Sequence, residues 1–268
     1  MEIAAMRTLY DRHERRQASY PLYSREETER TVRMIGPPGG HSVVIWSSLS
    51  EGDAEAAIDA EIARFGELSR PFEWKAYSHD APPDLASRLA ARGFTIGGEE
   101  RIMVLDARSP EADSLVRRGE SRPGLRVAKV RDADTLERAK DAQRAIWTEE
   151  KDEAWLDALE ARVASFPDYT SVYVAFADGI PVASAWVDFP AGSPFASLWG
   201  AGTVEAYRGR GAYSALVSAR VAEARARGYR YLTVDAGSMS APILEPRGFV
   251  EIAKSWACDY EHMVKNNH

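Results

Sequence analysis

Apolar residues in the second half of the chain recur with two spacings, about 3.6 and 2, and each spacing marks an element. Leu125 to Val130 alternates and is predicted to be a strand. Leu136, Ala139, Gln143 and Ile146 fall at helical spacing within Asp134–Trp147, with Asp132 or Asp134 as the cap. Trp155, Leu156, Leu159, Val163 and Phe166 define a second helix, ended by Pro167. Val172, Val174 and Phe176 alternate up to Asp178-Gly179, and Ile180–Asp188 alternates back, as a hairpin does. Ala196–Val204 is a third strand, and Tyr207–Arg227 is a helix stopped by Gly228. Tyr229–Asp235, Met239–Arg247 and Phe249–Tyr260 read as strand, short helix and strand. The order is β-α-α-β-β-β-α-β-α-β, and the helical crossover after Val204 implies one parallel pair.

The first half gives a similar, fainter rhythm. His41–Ser47 and Phe72–Tyr77 read as strands, Asp53–Phe65 and Pro83–Arg92 as helices, and Thr95–Leu105 contains another strand. Arg92-Gly93-Phe94 after one helix matches Arg247-Gly248-Phe249 after another, and the preceding strands end near Asp80 and Asp235. We read this as a distant internal duplication; the alternative is coincidence, because helix–glycine–strand joints are common. The segment from Asp106 to Gly124 holds Ser109-Pro110, charges from Arg117 to Arg122 and Pro123-Gly124, and reads as a linker. The expected division is therefore 1–107, a linker at 108–124, and a second domain at 125–268.

Composition narrows the function. The chain has 268 residues, 45% hydrophobic and 28% charged, in the range of globular proteins. A net charge of −7 argues against a nucleic-acid partner, because phosphate neutralisation needs surplus Lys and Arg. Cys258 is the single cysteine, so no internal disulfide forms. The charged start, from Glu2 to Arg16, has no apolar signal core, and no apolar run of membrane-spanning length occurs. A cytoplasmic protein without a membrane partner is expected. His13, His41, His79, His262 and His268 show no metal-ligand spacing, so no metal is expected. Gly40-His41-Ser42 has Val44 where a nucleophile elbow needs glycine.

The candidate chemistry lies between a strand and a helix, in Val204-Glu205-Ala206-Tyr207-Arg208-Gly209-Arg210-Gly211-Ala212-Tyr213. Glycines there allow a tight turn and close approach of a ligand. Amides of the first helical turn point outward, and the helix dipole favours an anion. With Arg208 and Arg210 beside them, these groups suit a pyrophosphate. A dinucleotide fingerprint would need glycine at Ser214, and a Walker loop would need Gly-Lys-Ser/Thr. The bland alternative is a turn that only joins strand to helix.

This segment resembles the acetyl-CoA signature of the GNAT N-acetyltransferase superfamily, Arg/Gln-x-x-Gly-x-Gly/Ala. Arg208 and Gly211 match, while Tyr213 stands where the family has Gly or Ala. Tyr207, the helix with Leu216 and Val217, the strand Tyr231–Val234, and Ile243-Leu244-Glu245 before Gly248-Phe249 extend the likeness over the last 140 residues or so. The resemblance implies an α/β fold: a mixed, mostly antiparallel central sheet flanked by helices, in tandem, with the first copy degenerate and lacking the cofactor motif. It implies acetyl-CoA as co-substrate, held by Gly202, Thr203, Val204, Arg208, Gly209, Arg210, Gly211, Ala212 and Tyr213. The pantetheine arm would lie where strands 198–204 and 229–235 splay, and Gly200 and Gly202 suit a bulged strand there.

The implied activity is acetyl transfer to a primary amine of a small molecule or peptide, by direct attack on the thioester. Many relatives carry a Tyr acid four residues before the Gly of Gly-Phe; this chain has Leu244 there, and Pro246 interrupts that helix. The usual carboxylate on the third strand is also missing from Ser197–Val204. Asp235 is the catalytic candidate, with capping of the next helix as its alternative role. Asp188, Glu205 and Tyr260 are further candidates. Glu149, Glu150, Asp152 and Glu153 could attract a cationic amine or form a solvated turn. Trp147, Trp155, Trp186 and Trp199 could line the acceptor site or the core. The alternatives are a non-catalytic acyl-CoA-binding module, or an acyltransferase acting on a hydroxyl or thiol. Assembly as a monomer or homodimer fits either.

Overall fold

The computed structural model describes residues 2–38, 40–120, 124–148 and 153–261. The chain forms two compact units, one of residues 1–102 with 251–268 and one of 103–250.

The first unit opens with helix α1 (Ile3–Tyr10), which widens into a π-helical turn at Asp11–Arg16. Strands β1 (Ser24–Glu27), β2 (Thr31–Ile35) and β3 (Val43–Ser47) follow, then helix α2 (Ala54–Glu67), β4 (Phe72–Tyr77), α3 (Leu85–Ala91) and the long strand β5 (Thr95–Asp106). The sheet order is β1-β2-β3-β4, then the last strand of the chain, then the first part of β5. Ile58, Phe65, Trp74 and Leu89 are fully buried beneath α2 and α3, and Phe65 stacks on Phe72. The N-terminal segment was illegible because its buried positions, Met6, Tyr10 and Arg15, are scattered among charges.

The second unit takes the end of β5 and then α4 (Pro110–Glu120), where a linker was expected. Ala112 and Leu115 face the core, and the charged run after them hides this narrow stripe in the sequence. Next come β6 (Leu125–Lys129), α5 (Ala133–Ile146), α6 (Ala154–Ser165), β7 (Thr170–Ala177), β8 (Ile180–Asp188), β9 (Phe195–Thr203), α7 (Ala212–Ala226), β10 (Tyr231–Ala236) and α8 (Ala241–Leu244). The Asp132 side chain caps α5, accepting from the Thr135 N–H at 2.8 Å. The sheet order is β5-β10-β9-β8-β7-β6, with β6, β7, β8 and β9 paired antiparallel and β10 parallel to β9. Alternation along β7 separates the two faces. Tyr173, Ala175 and Ala177 join a core with Leu216, Val217 and Val221 of α7, whereas Val172, Val174 and Phe176 pack with Ala139 and Leu159 of α5 and α6. Burial of such side chains stabilises by about 1.5–3 kcal/mol each.

The chain ends in β11 (Val250–Tyr260), which pairs antiparallel with β4 and buries Cys258 in the first unit. The division thus differs from the expected 1–107 and 125–268. Strand alternation fits either sheet, so the sequence does not reveal which sheet β11 completes.

The expected duplication has a structural counterpart. In each unit an antiparallel strand pair with a register shift leads through a helix to a parallel strand, β2-β3-α2-β4 and β8-β9-α7-β10. Each unit then has a short helix ending in a left-handed glycine, Gly93 at φ +93° and Gly248 at φ +88°. In both, the following Phe N–H returns to a helix carbonyl, Phe94 to Leu89 and Phe249 to Leu244.

Candidate functional site

The glycine–arginine segment joins β9 to α7. A 3-10 turn at Glu205–Tyr207 and an extended Arg208 lead to Gly209 at φ +75° and Gly211 at φ +91°. Gly211 is the N-cap of the 15-residue α7, and its left-handed conformation is one that L side chains rarely adopt. Having no side chain, it leaves the amides of Ala212, Tyr213 and Ser214 without a capping acceptor. The helical ladder starts with Ala215 N–H donating to the Gly211 carbonyl at 3.0 Å. A Cβ built at Gly209 would meet nothing within 4 Å, so this corner is open. The Arg208 side chain is 49% exposed, donates to the Thr203 carbonyl at 3.3 Å, and lies 3.9 Å from Glu205. The Arg210 guanidinium sits 5.1 Å from the Tyr207 ring centroid and has no carboxylate partner among the described residues. Uncapped helix amides and two exposed cations therefore lie together at a helix N-terminus, an arrangement that suits a diphosphate.

Tyr213, the departure from the family motif, is directed away from this corner. Its ring packs against the α7-side core, its hydroxyl bonds Ser240, and burial holds the phenol above its usual range. Ser214 accepts a hydrogen bond from Arg247 at 2.6 Å, so the turn after α8 braces the first turn of α7. Pro246 breaks α8 as expected. The helix stops at Leu244, and Glu245–Arg247 is a 3-10 turn. Leu244 is fully buried, so the place of the relatives' Tyr holds an aliphatic core residue.

Strands β9 and β10 pair in register from Phe195↔Tyr231 only to Leu198↔Val234, and Trp199–Thr203 runs on past the last pair. There β9 also bulges against β8, where the register shifts between Ser184 and Trp186. Gly200, at φ +57°, lies under the Trp186 ring, and an added Cβ would meet that ring at 1.7 Å. Two buried side chains hold the bulge from opposite faces. Arg220 of α7 donates to the Trp186 carbonyl at 3.1 Å, and its burial lowers its pKa to about 10. Gln143 of α5 donates to the Gly200 carbonyl at 2.8 Å and to Ser184 Oγ at 3.3 Å. Gln143 and Arg220 escaped the sequence reading, although a glutamine within the apolar stripe of α5 was the available signal.

The individual candidates fare differently. Val204 already donates its N–H to Val182 and accepts from Tyr207, both at 2.9 Å, so its backbone is engaged within the chain. Thr203 Oγ1 is buried with no hydrogen-bond partner among the described residues, as is Thr233 Oγ1. A Cβ at Gly202 would come within 2.7 Å of the Ile146 side chain, so a larger residue there would have to displace Ile146. Asp235 follows the last β9 pair. Leu232 and Val234 pack in the α7-side core, so alternation sends Asp235 to the other face. Ser240, and not Asp235, occupies the N-cap position of α8.

Asp188 is buried, accepts from Thr170 at 2.6 Å, and lies 3.5 Å from Arg162. Burial raises its carboxyl pKa despite the Arg162 charge. Glu205 is 89% exposed beside Arg208. Tyr260 belongs to the first unit, tilted against Phe94 and Phe72. Glu153 pairs with Arg144 at 3.1 Å, while Glu149, Glu150, Asp152, His262 and His268 lie outside the described residues. Trp155 and Trp186 are neighbours, and Trp147 and Trp199 are 47% and 39% exposed. No group of metal-ligating side chains occurs among the described residues. No described helix is long and apolar enough to cross a membrane.

The residues present fit a coenzyme A. The open left-handed turn leaves room where a diphosphate would sit, and the unpartnered Thr203 hydroxyl would offer a polar contact at the end of the splayed strand. The first unit does not repeat this. Its parallel strands pair only at Val43↔Glu73 and Val44↔Trp74. Arg15 reaches across beyond them, donating to the Ile45 carbonyl of β3 at 3.2 Å and lying 3.8 Å from the Tyr77 ring centroid of β4. Where α7 begins with the glycine–arginine turn, α2 begins after Glu51-Gly52-Asp53, which carries two acids.

The fold is that of the GNAT acetyltransferases, in a tandem arrangement. The model of the acetyltransferase (GNAT) family matches residues 136–242, so the second unit carries a GNAT domain. A GCN5-related N-acetyltransferase from Kribbella flavida superposes with a TM-score of 0.68 at 18% identity, over 95% of both chains. A conserved protein of unknown function from Staphylococcus epidermidis gives 0.68 at 14%, over 90% of this chain and 95% of that one. A tandem GNAT protein from the clavulanic acid biosynthesis pathway gives 0.57 at 12%, over 91% and 85%. At such identities the likeness shows the fold. No curated protein sequence matches the chain.

Proposed function

We propose that the second unit transfers an acetyl group from acetyl-CoA to a primary amine of a small molecule or peptide. The observation that carries this reading is the uncapped N-terminus of α7, entered through left-handed Gly209 and Gly211 and flanked by Arg208 and Arg210, beside the end of β9 that runs past its last β10 pair. Acetyl-CoA would supply the activated acyl group. The α7 amides and both arginines would hold its diphosphate, and Gly202 and Thr203 its pantetheine arm. The first unit, with Arg15 between its strands, would bind none.

In the reaction the neutral amine nitrogen attacks the thioester carbonyl, the C–N bond forms and the C–S bond breaks. The ammonium loses a proton and the thiolate gains one. Asp235, on the face away from α7, is the candidate to take the amine's proton. With Leu244 in the usual acid's place, the thiolate would be protonated from solvent.

Calorimetry with acetyl-CoA, then thiol release against amino acids, polyamines, aminoglycosides and peptide N-termini, tests the reading. Micromolar binding with thiol release on one amine class is expected, and absence of binding would refute it. A second reading, a non-catalytic acyl-CoA-binding module, is favoured by the buried Leu244. Binding without thiol release on any amine would support that module.

A further inference from the structure

We propose that the acceptor is a primary amine on a flat aryl body, held between Trp147 and Trp199 with its ammonium toward Asp235. This rests on the acetyl-transfer reading above and names the acceptor class for it. Contacts from α5 bring Trp147 to the mouth of the splay. Gln143 donates to the Gly200 carbonyl at 2.8 Å, and its amide oxygen accepts from Trp147 Nε1 at 2.9 Å. Ile146, the last residue of α5, lies against Gly202, where an added Cβ would come within 2.7 Å of it. The end of α5, with Trp147, therefore stands over the stretch of β9 that runs past its last β10 pair.

Trp199 and Asp235 are the first residues of β9 and β10 beyond that pair, Leu198↔Val234. Both lie on the sheet face opposite α7. Trp199 is the cross-strand partner of Trp186, which packs with the core under α5 and α6, and such partners share a face. Asp235 follows Val234, which packs in the α7-side core, so alternation turns it the other way. An indole and a carboxylate thus flank the opening on one face, and a second indole stands on its α5 side.

The exposure of these indoles points to a ligand. Trp147 is 47% and Trp199 39% exposed at the opening, an apolar surface that the fold leaves uncovered. Trp147 is also fixed, because its nitrogen edge is tied to Gln143, which is 1% exposed. Trp186 extends the surface behind them, its ring over Gly200 and 6.4 Å from Trp155. Indoles take an aryl group in stacked or edge-on contact. A wall already fixed loses little side-chain freedom when a ligand arrives. The Asp235 carboxylate complements one ammonium, which an indole face also attracts. A polyamine or aminoglycoside spreads several ammonium groups over a flexible or hydroxylated frame, which stacking surfaces do not match.

Initial rates of the full chain with acetyl-CoA and phenethylamine, hexylamine, spermidine or kanamycin test this. Phenethylamine should give the highest kcat/KM, about 10-fold above hexylamine. Trp199→Ala should raise the phenethylamine KM about 5–20-fold and remove most of that preference, with the acetyl-CoA Kd unchanged. Trp199→Phe should keep the preference. Binding is read without turnover in 15N NMR spectra of the protein with coenzyme A. There the indole N–H signals of Trp147 and Trp199 should shift with phenethylamine and stay in place with spermidine.

Faster thiol release with spermidine or kanamycin than with phenethylamine overturns the inference and leaves acetyl transfer standing. No thiol release with any amine, alongside shifted indole signals, refutes acetyl transfer and leaves the aryl-amine site standing. Indole signals unmoved by phenethylamine, or an aryl preference unchanged in Trp199→Ala, overturn the inference. If Trp199→Ala does not fold, the wild-type rates and spectra decide alone.

Discussion

The guanidinium of Arg15 meets both carboxylate oxygens of Asp80, at 2.7 and 2.9 Å, with side-chain exposures of 2% and 4%. It also bonds Asp11 at 2.8 Å and the Ile45 carbonyl at 3.2 Å. This cluster stands between β3 and β4 of the first unit, the place equivalent to the gap between β9 and β10 in the second.

Removing the cation leaves two acids in a confined site. Breaking a buried pair by removing one partner costs about 3–5 kcal/mol. Arg15→Met is therefore expected to destabilise the first unit by that order in urea unfolding. Arg15→Met with Asp80→Asn should recover part of the loss, because no uncompensated charge then remains at residue 80. A loss below about 1 kcal/mol for Arg15→Met would show that the pair is not what holds the strands.

The same filled gap sets a stoichiometry. One coenzyme A per chain is expected by calorimetry. Binding of two would mean that Arg15 yields to a ligand.

At the α7 turn, Arg208→Ala and Arg210→Ala should each raise the Kd for coenzyme A about 5–30-fold, as lost charge-assisted contacts of about 1–2 kcal/mol do. Because both side chains are exposed, stability should stay within about 0.5 kcal/mol of wild type. The loss should shrink at high salt, where ionic contacts are screened. Equal binding by the Arg208→Ala/Arg210→Ala pair would place the diphosphate elsewhere.

A pH effect follows from Glu223. Burial opposes its ionisation, but Lys129 at 2.6 Å, the Tyr173 hydroxyl and Ser171 outweigh burial and hold the carboxyl below its ordinary value of 4.5. A carboxyl with a lowered folded-state pKa stabilises above its unfolded value and loses that contribution as pH falls through the folded one. Glu223→Gln should therefore be less stable at pH 7 by about 1–3 kcal/mol. The gap to wild type should narrow once pH drops below 4.5. Chemical denaturation at several pH values checks this, and a gap that widens in acid contradicts it.

Much of the second unit is legible in its sequence because its elements are local and strongly patterned. Val172, Val174 and Phe176 alternate, Asp178-Gly179 turns the hairpin, and Asp132 caps α5 as expected. The stretch from Pro110 to Glu120 was not legible, since its apolar contacts with the core, Ala112, Leu115 and Val116, lie among a run of charges. In the site, the glycine–arginine turn could be read because glycine's tolerance of left-handed backbone is a property of the residue. Gln143 and Arg220 could not, because a polar side chain in a helix says nothing about which distant carbonyl it meets.

Period, turn chemistry and capping are short-range properties, and they alone determined the β-α-α-β-β-β-α-β-α-β order and the position of the α7 turn. Partner choice is a long-range property that only the tertiary structure decided. It assigned β11 to β4, buried Arg15 between β3 and β4, and brought Gln143 to the Gly200 carbonyl. The reason is that alternation and helical spacing say which face of an element is buried, while the contacts made there depend on segments far away in the chain.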